Sequence, residues 1–355
     1  MIEISLIKVV LSWLVSFLIG FLITPYVIKV LTRFRCWKKR SGNTHSMGSN
    51  GGTPIFNKLH ADRDTRVPRM GGIVIVISVL ATTSIFWAIG FIISGGPSGG
   101  DFDFLSRTQT WLPLAAFVAG ALIGFIDDLL TIGASRRFPS LQGLALRYRI
   151  ILSTAFAILS AYWFYVKLGI DSVFVPWYGD FVMGWWFVPF FILAFIAIFA
   201  TSNIDGLDGL AGGVMAIIFT AMGIIAYFQN QIDIAAFCFA IVGGTLAFLW
   251  FNIPPARFYM TEVGYNALSF SLAIVAFATD TILILPVLAV VLFMTEITTI
   301  LQVLSKKIRG KKIFRVAPIH HHFEAIGWPA HQVVMRYWIV SLIGAVLGVM
   351  LAFTA

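Results

Sequence analysis

Ten apolar runs, candidates to cross a lipid bilayer although the eighth is short, constrain this chain more than any other feature. A spanning helix needs about 20 mostly apolar residues. The mean hydropathy is +0.91, and only 12% of the 355 residues are charged, which excludes a water-soluble domain of this length. We expect an all-α polytopic integral membrane protein in a single domain over 1–355. The expected spans are 6–31, 71–93, 111–130, 150–167, 185–201, 210–228, 234–251, 266–280, 282–304 and 334–354.

The distribution of Lys and Arg predicts the orientation of these helices. Most of the 25 basic residues fall in the loops after the first, third, seventh and ninth spans or at the start of the tenth. Short basic loops stay in the cytoplasm, so ten spans place both termini on the outer side. Anionic lipid at the inner surface accounts for the net charge of +9 without nucleic acid as a partner. The polar stretch at about 40–66 is expected to be a flexible cytoplasmic loop.

A pair of adjacent aspartates, Asp127 and Asp128, ends the third expected span. A carboxylate at membrane depth is costly and is a functional candidate by default. Two neighbouring carboxylates repel each other and favour a bound cation. A helix end that emerges into water would explain a single aspartate, but a pair that faces other polar clusters indicates an active site at the cytoplasmic face.

Two further polar clusters fall on the same predicted face. Asp205 and Asp208 are three residues apart and share one face of a helical turn, and Gly206 leaves room for a ligand to approach the backbone. A glycine-rich turn capped by aspartate is the simpler explanation, which the repeated Asp-Gly-Leu unit disfavours. The other cluster supplies an amide, an aromatic ring and a carboxylate: Asn252, Tyr259 and Glu262. Carboxylates on this face are suited to Mg2+, and the lipid phase can hold a second reactant.

The string Pro318-Ile319-His320-His321-His322-Phe323-Glu324 contains half of the six histidines. Imidazoles bind metals or phosphate, and they change charge near neutral pH. Consecutive histidines do not easily all bind one ion, so a zinc site is disfavoured. We interpret the three histidines as substrate and phosphate contacts beside a magnesium site, and the glutamate as a support for the loop.

Several motifs together resemble the phospho-N-acetylmuramoyl-pentapeptide transferase family. The triple-histidine string, followed by Gly327-Trp328 and Arg336-Tyr337-Trp338-Ile339, is the specific one. Pro68-Arg69-Met70-Gly71-Gly72, Gly124-Phe125-Ile126-Asp127-Asp128 and Asp205-Gly206-Leu207-Asp208-Gly209-Leu210 resemble further motifs, so the likeness covers nearly the whole chain. It implies transfer of phospho-MurNAc-pentapeptide from UDP-MurNAc-pentapeptide to undecaprenyl phosphate in the inner membrane. The products are lipid I and UMP, in the first membrane step of peptidoglycan synthesis. It also suggests a homodimer.

The resemblance implies a role for each candidate residue. Mg2+ bound by Glu262, with Asp127 and Asp128 nearby, would neutralise the diphosphate while the lipid phosphate attacks in line. These three are the expected catalytic and metal-binding residues. Tyr259 is expected to stack on uracil. The full set of expected substrate-binding residues is Arg66, Arg69, Asp205, Gly206, Asp208, Asn252, Tyr259, His320, His321 and His322.

The chain departs from the family pattern at several positions. The usual lysine of the first motif is absent, so its role passes to Arg63, Arg66 or Arg69. The usual Gly-Asp-x-Gly metal motif is Thr261-Glu262-Val263-Gly264 here. A glutamate can still bind Mg2+ with a longer reach.

Three alternatives remain open at this point. The nearest is a sister enzyme that loads GlcNAc-1-phosphate onto the same lipid. An ion-coupled transporter would suit the intramembrane Glu296, although it predicts acidic residues at mid-depth whereas most candidates crowd the cytoplasmic ends. The third is a metal-binding or scaffold protein that uses only the histidines.

Overall fold

The structure is a computed structural model that describes residues 2–37, 67–94, 103–106, 109–137 and 143–354. Most of these residues are helical, because a bilayer offers no water to satisfy exposed backbone groups. In chain order, helices α1 to α12 are Ile2–Arg33, Ile73–Ser94, Trp111–Arg137, Leu146–Tyr162, Phe187–Ala200, Leu210–Phe228, Ile232–Asn252, Thr261–Ala278, Leu285–Leu288, Val290–Arg309, Ile319–Ala325 and Ala330–Thr354. The expected loop at 40–66, and Arg66 with it, lies outside the described residues.

Short irregular elements complete the fold. A π-helical turn, Trp163–Lys167, extends α4, and 3-10 turns at Gly184–Trp186 and Thr201–Ile204 flank α5. Strands β1 (Ser172–Val175) and β2 (Gly179–Val182) form an antiparallel hairpin, which the sequence analysis did not anticipate. Helices α6, α7 and α8 are largely buried, whereas only 28% of the spanning residues are buried in α1, α4 and α12. Such exposure is expected where lipid surrounds the helices.

Nine helices in the described part of the chain are long and apolar enough to cross a membrane. They correspond to the first eight expected spans and the tenth, which confirms an all-α polytopic membrane protein. The eighth begins five residues earlier than expected, at Thr261, because its polar first turn is helical as well. The orientation of the termini and the single domain over 1–355 stay predictions.

The ninth expected span, 282–304, is divided between α9 and α10. The two helices are separated at Ala289, and the basic end of α10 makes it too polar to count among the nine. Together they still pass along the bundle. Leu288 packs against Gly348 in the distal half of α12, while Glu296 of α10 accepts a hydrogen bond from Asn203 next to the Asp205 cluster.

Glycines bring α3 and α8 into backbone contact. Gly120 and Gly124 are one helical turn apart on α3. A β-carbon at Gly120 would overlap the Asn266 carbonyl, and one at Gly124 would overlap the Glu262 carbonyl. Small residues of this spacing allow membrane helices to approach closely. The contact places the aspartates near the end of α3 beside the first turn of α8.

We expect Gly124→Ala to lower both the thermal unfolding midpoint in detergent and the activity that the sequence resemblance implies. The added β-carbon meets backbone that cannot rotate away, and overpacking costs about 1–3 kcal/mol. Gly133→Ala on the same helix is the control, because nothing lies within 4 Å of its added β-carbon. It should be neutral or slightly stabilising. Equal losses in the two variants would contradict the close-contact explanation.

Candidate active site

Asp128 is fully buried where α3 meets the start of α8. Its Oδ2 accepts hydrogen bonds from the Thr261 hydroxyl at 2.6 Å and from the Val263 backbone N–H at 3.0 Å. The Arg69 guanidinium lies 3.4 Å from Oδ1. Asp128 therefore satisfies a backbone donor of the first turn of α8 that has no partner within the helix. It joins two helices in addition to presenting a carboxylate to the site.

Asp127 faces a different segment, the one that leads into α4. Its Oδ1 accepts a hydrogen bond from the backbone of Leu144. Gly143 has φ +86°, and a β-carbon there would lie 2.6 Å from the same oxygen. Glycine is required at position 143 for two reasons: the positive φ strains other residues, and a side chain would overlap the Asp127 carboxylate. The adjacent aspartates hold different parts of the chain, so their roles are not interchangeable.

A buried arginine, Arg149, connects two of the expected metal ligands. Its guanidinium lies 2.7 Å from Glu262 Oε2 and 3.8 Å from Asp127 Oδ2, and it lies over the Phe199 ring at 5.7 Å. The side chains of Arg149 and Glu262 are only 6% and 13% exposed. From the sequence, Arg149 is one of the many basic residues in the predicted cytoplasmic loops. Its position in the first turn of a spanning helix was the signal that could have identified it.

Thr261 adopts φ +56°, a conformation that β-branched residues rarely take. It is held there from several sides. Its N–H donates to Asp205 at 3.0 Å, and its hydroxyl donates to Asp128 and accepts from the Met70 N–H at 3.0 Å. Backbone strain of this kind costs about 1–3 kcal/mol and persists where surrounding contacts over-determine it. The usual family motif has glycine at this position, which adopts positive φ without strain.

The motif at residues 205–210, which we call the central loop, carries Asp205 and Asp208. Burial raises the pKa of Asp205 to about 6, although the hydrogen bond from the Thr261 N–H opposes the rise. Asp208 Oδ2 accepts a weaker hydrogen bond from the Ala256 backbone at 3.3 Å. Asp208 therefore contacts the chain that precedes α8, whereas Asp205 contacts the first residue of α8 and joins the cluster around Glu262.

Asn252, the last residue of α7, joins the central loop to the segment that precedes α8. Its Oδ1 accepts from the Gly209 N–H at 2.9 Å, and its Nδ2 donates to the Phe258 carbonyl at 2.8 Å. The residue is buried. The Asn252 amide thus holds the central loop against the segment that contains Phe258. A direct substrate contact by Asn252 stays a prediction.

Residues 68–72 pair with residues 259–261 at the edge of the site. Tyr259 donates its N–H to the Pro68 carbonyl at 2.9 Å, and its own carbonyl accepts from Gly71 at 2.7 Å. This pairing places Arg69 beside Asp128 and leaves the Tyr259 side chain half-buried. Of the three arginines expected to replace the family lysine, the described residues include only Arg69.

His320 and His321 lie directly over Gly206. A β-carbon added to Gly206 would be 2.6 Å from His320 Nε2 and 2.8 Å from His321 Nε2. The space that the sequence analysis reserved for a ligand is therefore taken by imidazole rings. His321 Nδ1 lies 2.7 Å from Glu324 Oε2, which agrees with the expected supporting role of Glu324. The glutamate fixes the ring so that the opposite nitrogen faces the central loop.

His322 has a different environment. Its Nδ1 accepts from the backbone N–H of Arg315 at 3.2 Å, and its ring packs edge-on against Phe314 at 5.6 Å. The structure thus separates this histidine from the other two, and a substrate contact by His322 stays a prediction.

The composition of the site is suited to a divalent cation together with a phosphate substrate. Among the described residues, four carboxylates lie close to two guanidinium groups, those of Arg69 and Arg149. The carboxylates are Asp127, Asp128, Asp205 and Glu262. No group of three or more His, Cys, Asp or Glu within the described residues could hold an ion by itself. Mg2+ commonly uses one or two carboxylates and completes its shell with water and substrate phosphates, and the residues present fit that pattern.

Comparison with known proteins first identifies the class of protein to which this chain is similar. Residues 110–280, from α3 through α8, match the family model described as Glycosyl transferase family 4. A relative from Listeria welshimeri is 34% identical over 82% of this chain and 86% of its own length. One from Geobacillus thermodenitrificans is 32% identical over 96% and 97%, and one from Chloroflexus aurantiacus is 34% identical over 80% and 77%. All three are named phospho-N-acetylmuramoyl-pentapeptide-transferase. The chain belongs to this family.

We expect Arg149→Gln to lower the thermal unfolding midpoint in detergent and to reduce transferase activity sharply. Removal of one partner of a buried ion pair leaves the other charge uncompensated, which costs about 3–5 kcal/mol. Arg147→Gln, two residues away, is the control, because Arg147 is exposed and, among the described residues, its guanidinium contacts the adjacent Tyr148. It should behave like the unaltered protein. Wild-type stability and activity in Arg149→Gln would show that the pair does not support Glu262.

Proposed function

We propose that this protein transfers phospho-MurNAc-pentapeptide from UDP-MurNAc-pentapeptide to undecaprenyl phosphate, with lipid I and UMP as products. One observation carries the proposal: Asp128, Glu262 and the paired rings of His320 and His321 converge on the central loop at one end of a membrane helix bundle. A water-soluble nucleotide and a lipid phosphate can meet at such a place. The full-length similarity to transferases of this name supports the same reaction.

The reaction needs alignment and charge stabilisation more than a strong base. The second pKa of a phosphate monoester is about 6, so the lipid phosphate is already largely ionised at neutral pH. Bound Mg2+ would supply neutralisation of the donor diphosphate, with Glu262 and Asp127 or Asp128 as its protein ligands. Arg69 and Arg149 add fixed positive charge at the same place. Rate enhancement then comes from holding the two phosphates in line.

The remaining residues fit the parts of the donor. Asp205 and Asp208 on the central loop and Asn252 at the end of α7 would hold the nucleoside. Tyr259 lies nearby for stacking on uracil. With Glu324 ionised, the Nδ1–H of His321 donates a hydrogen bond to its carboxylate. In its cationic form His321 would also donate from Nε2 to phosphate.

The wider setting follows from the same proposal. The multi-pass helix bundle would lie in the inner membrane with the site at the cytoplasmic face, and the protein would act as a homodimer. A transporter finds less support, because Glu296 bonds Asn203 beside the central loop and does not form part of a mid-depth path.

We expect Glu262→Gln and Asp128→Asn each to raise the Mg2+ concentration for half-maximal lipid I formation by about tenfold or more. Each variant removes a negative charge from the metal site. Binding of Mn2+ to the purified variants, followed by its paramagnetic resonance, provides a second readout that does not need turnover. Thermal unfolding midpoints identify variants that have lost the fold. If Glu262→Gln keeps both the rate and the metal dependence, Glu262 is not a ligand.

A donor comparison separates this function from that of the nearest alternative. Membranes that contain the protein and undecaprenyl phosphate should form product with UDP-MurNAc-pentapeptide and little or none with UDP-GlcNAc, measured as release of UMP. The opposite preference would identify a GlcNAc-1-phosphate transferase. Release of UMP with neither donor would reject both activities.

A further inference from the structure

From Thr295 onward, helix α10 is inverted relative to a helix in a soluble protein. Its polar side chains point into the protein, and its large apolar side chains point outward. The buried polar residues are Thr295, Thr298, Gln302 and Ser305. The outward residues, between 44% and 77% exposed, are Ile297, Leu301, Leu304 and Ile308. A continuous apolar stripe on the outside indicates that lipid covers this face as far as the last turn of the helix.

A dense group of cations begins where this stripe ends. We call residues 306–315 the basic segment; it carries Lys306, Lys307, Arg309, Lys311, Lys312 and Arg315, all exposed. Between Glu296 and Glu324 the sequence has no acidic residue. In the part of the chain that the structure describes, none of the six forms an ion pair. So many like charges within ten residues repel one another unless an external anion is present.

The apolar residues inside the basic segment indicate what supplies the anion. Ile308 is 77% exposed and Ile313 is 51% exposed, and both are flanked by lysines or arginines. Cations beside outward isoleucines are typical of a segment at the head-group level of a bilayer, where apolar side chains enter the lipid and ammonium groups extend to phosphates. Nucleic acid or an acidic protein would leave the isoleucines in water. The chemistry therefore favours an anionic phospholipid.

Helix α10 itself holds the basic segment in place. The Gln302 side chain accepts hydrogen bonds from the backbone of Ile313 at 2.9 Å and Phe314 at 3.0 Å, and it donates to the Phe314 carbonyl at 2.8 Å. The Ser305 hydroxyl donates to the Lys311 carbonyl at 2.9 Å. These bonds fold the segment back along the buried polar face of α10.

The basic segment is also joined to the histidine motif. The Arg315 backbone N–H donates to His322 Nδ1 at 3.2 Å, and the Arg315 guanidinium donates to the Ala325 carbonyl at 3.1 Å. Anything that immobilises the basic segment therefore restricts helix α11, on which His320 and His321 lie over Gly206. Hydrogen bonds therefore join the basic segment to helix α11, and the packing of His320 and His321 on Gly206 joins α11 to the central loop.

We propose that anionic phospholipid binds the basic segment and, by holding it, keeps the histidine motif seated on the central loop, so that activity depends on the surface charge of the membrane. Lipid binding stands on the structure alone. The effect on activity rests on the proposed function. The lipid is a bulk component of the bilayer and distinct from the carrier that is consumed.

The binding step is tested without turnover. Native mass spectrometry of the purified protein should show retention of phosphatidylglycerol in preference to phosphatidylcholine, and Lys311→Gln/Lys312→Gln should weaken it about fivefold for each charge removed. The control, Lys29→Gln/Arg33→Gln, removes two exposed charges at the end of α1 and should retain the preference. Thermal unfolding midpoints in neutral detergent should not differ. Equal phosphatidylglycerol binding by both variants would overturn the proposal.

The second step compares activity in nanodiscs of phosphatidylcholine with activity in nanodiscs that contain equal parts of phosphatidylcholine and phosphatidylglycerol. Anionic lipid should raise lipid I formation severalfold, high salt should reduce the gain, and Lys311→Gln/Lys312→Gln should lose most of it. No gain in the unaltered protein would overturn the coupling. If phosphatidylglycerol instead raised the KM for undecaprenyl phosphate, the segment would be the carrier's path and the proposal would be wrong. Complete absence of lipid I would reject the proposed function, while the binding test would still decide lipid recognition.

Discussion

The backbone contact between α3 and α8 is the constraint on which the candidate site depends. Because Gly124 has no side chain, the Glu262 carbonyl can approach α3 directly, and Asp128 then reaches the first turn of α8. That turn has N–H groups without partners inside its helix, and in a membrane protein such groups are expensive to leave unbonded. Asp128 satisfies one of them. The atoms that complete the fold are therefore the same atoms that form the candidate active site.

Charge balance explains how so many carboxylates coexist in a buried place. Arg69 contacts Asp128, and Arg149 contacts both Asp127 and Glu262. On the proposed function the same guanidinium groups face the donor phosphates. A metal ion that engages Glu262 therefore competes with the 2.7 Å contact to Arg149. Metal binding to Glu262 would free Arg149 to contact phosphate, and phosphate binding to Arg149 would free Glu262 to bind the metal. Metal binding and donor binding would therefore favour each other.

The sequence predicted what depends on composition and missed what depends on long-range contacts. Apolar runs dictate spanning helices through length alone, so nine of the expected spans are found; the ninth in order fails because α10 turns polar toward its end. Arg149 resembled any cation of a cytoplasmic loop, and only the packing of α4 shows that it reaches Glu262. The pairing of His321 with Glu324 was within reach of the sequence, because residues three apart share a helix face.

The histidine motif shows why adjacency in sequence does not imply a shared task. Consecutive residues on a helix point about 100° apart, so three neighbouring histidines on the seven-residue helix α11 cannot all face one ligand. His320 and His321 straddle Gly206 on one side, and His322 turns to the Arg315 backbone on the other. The motif therefore connects two structures: the central loop, which carries the acidic residues, and the segment that α10 holds along the edge of the bundle. The string that the sequence analysis interpreted as substrate and phosphate contacts thus also connects these two structures.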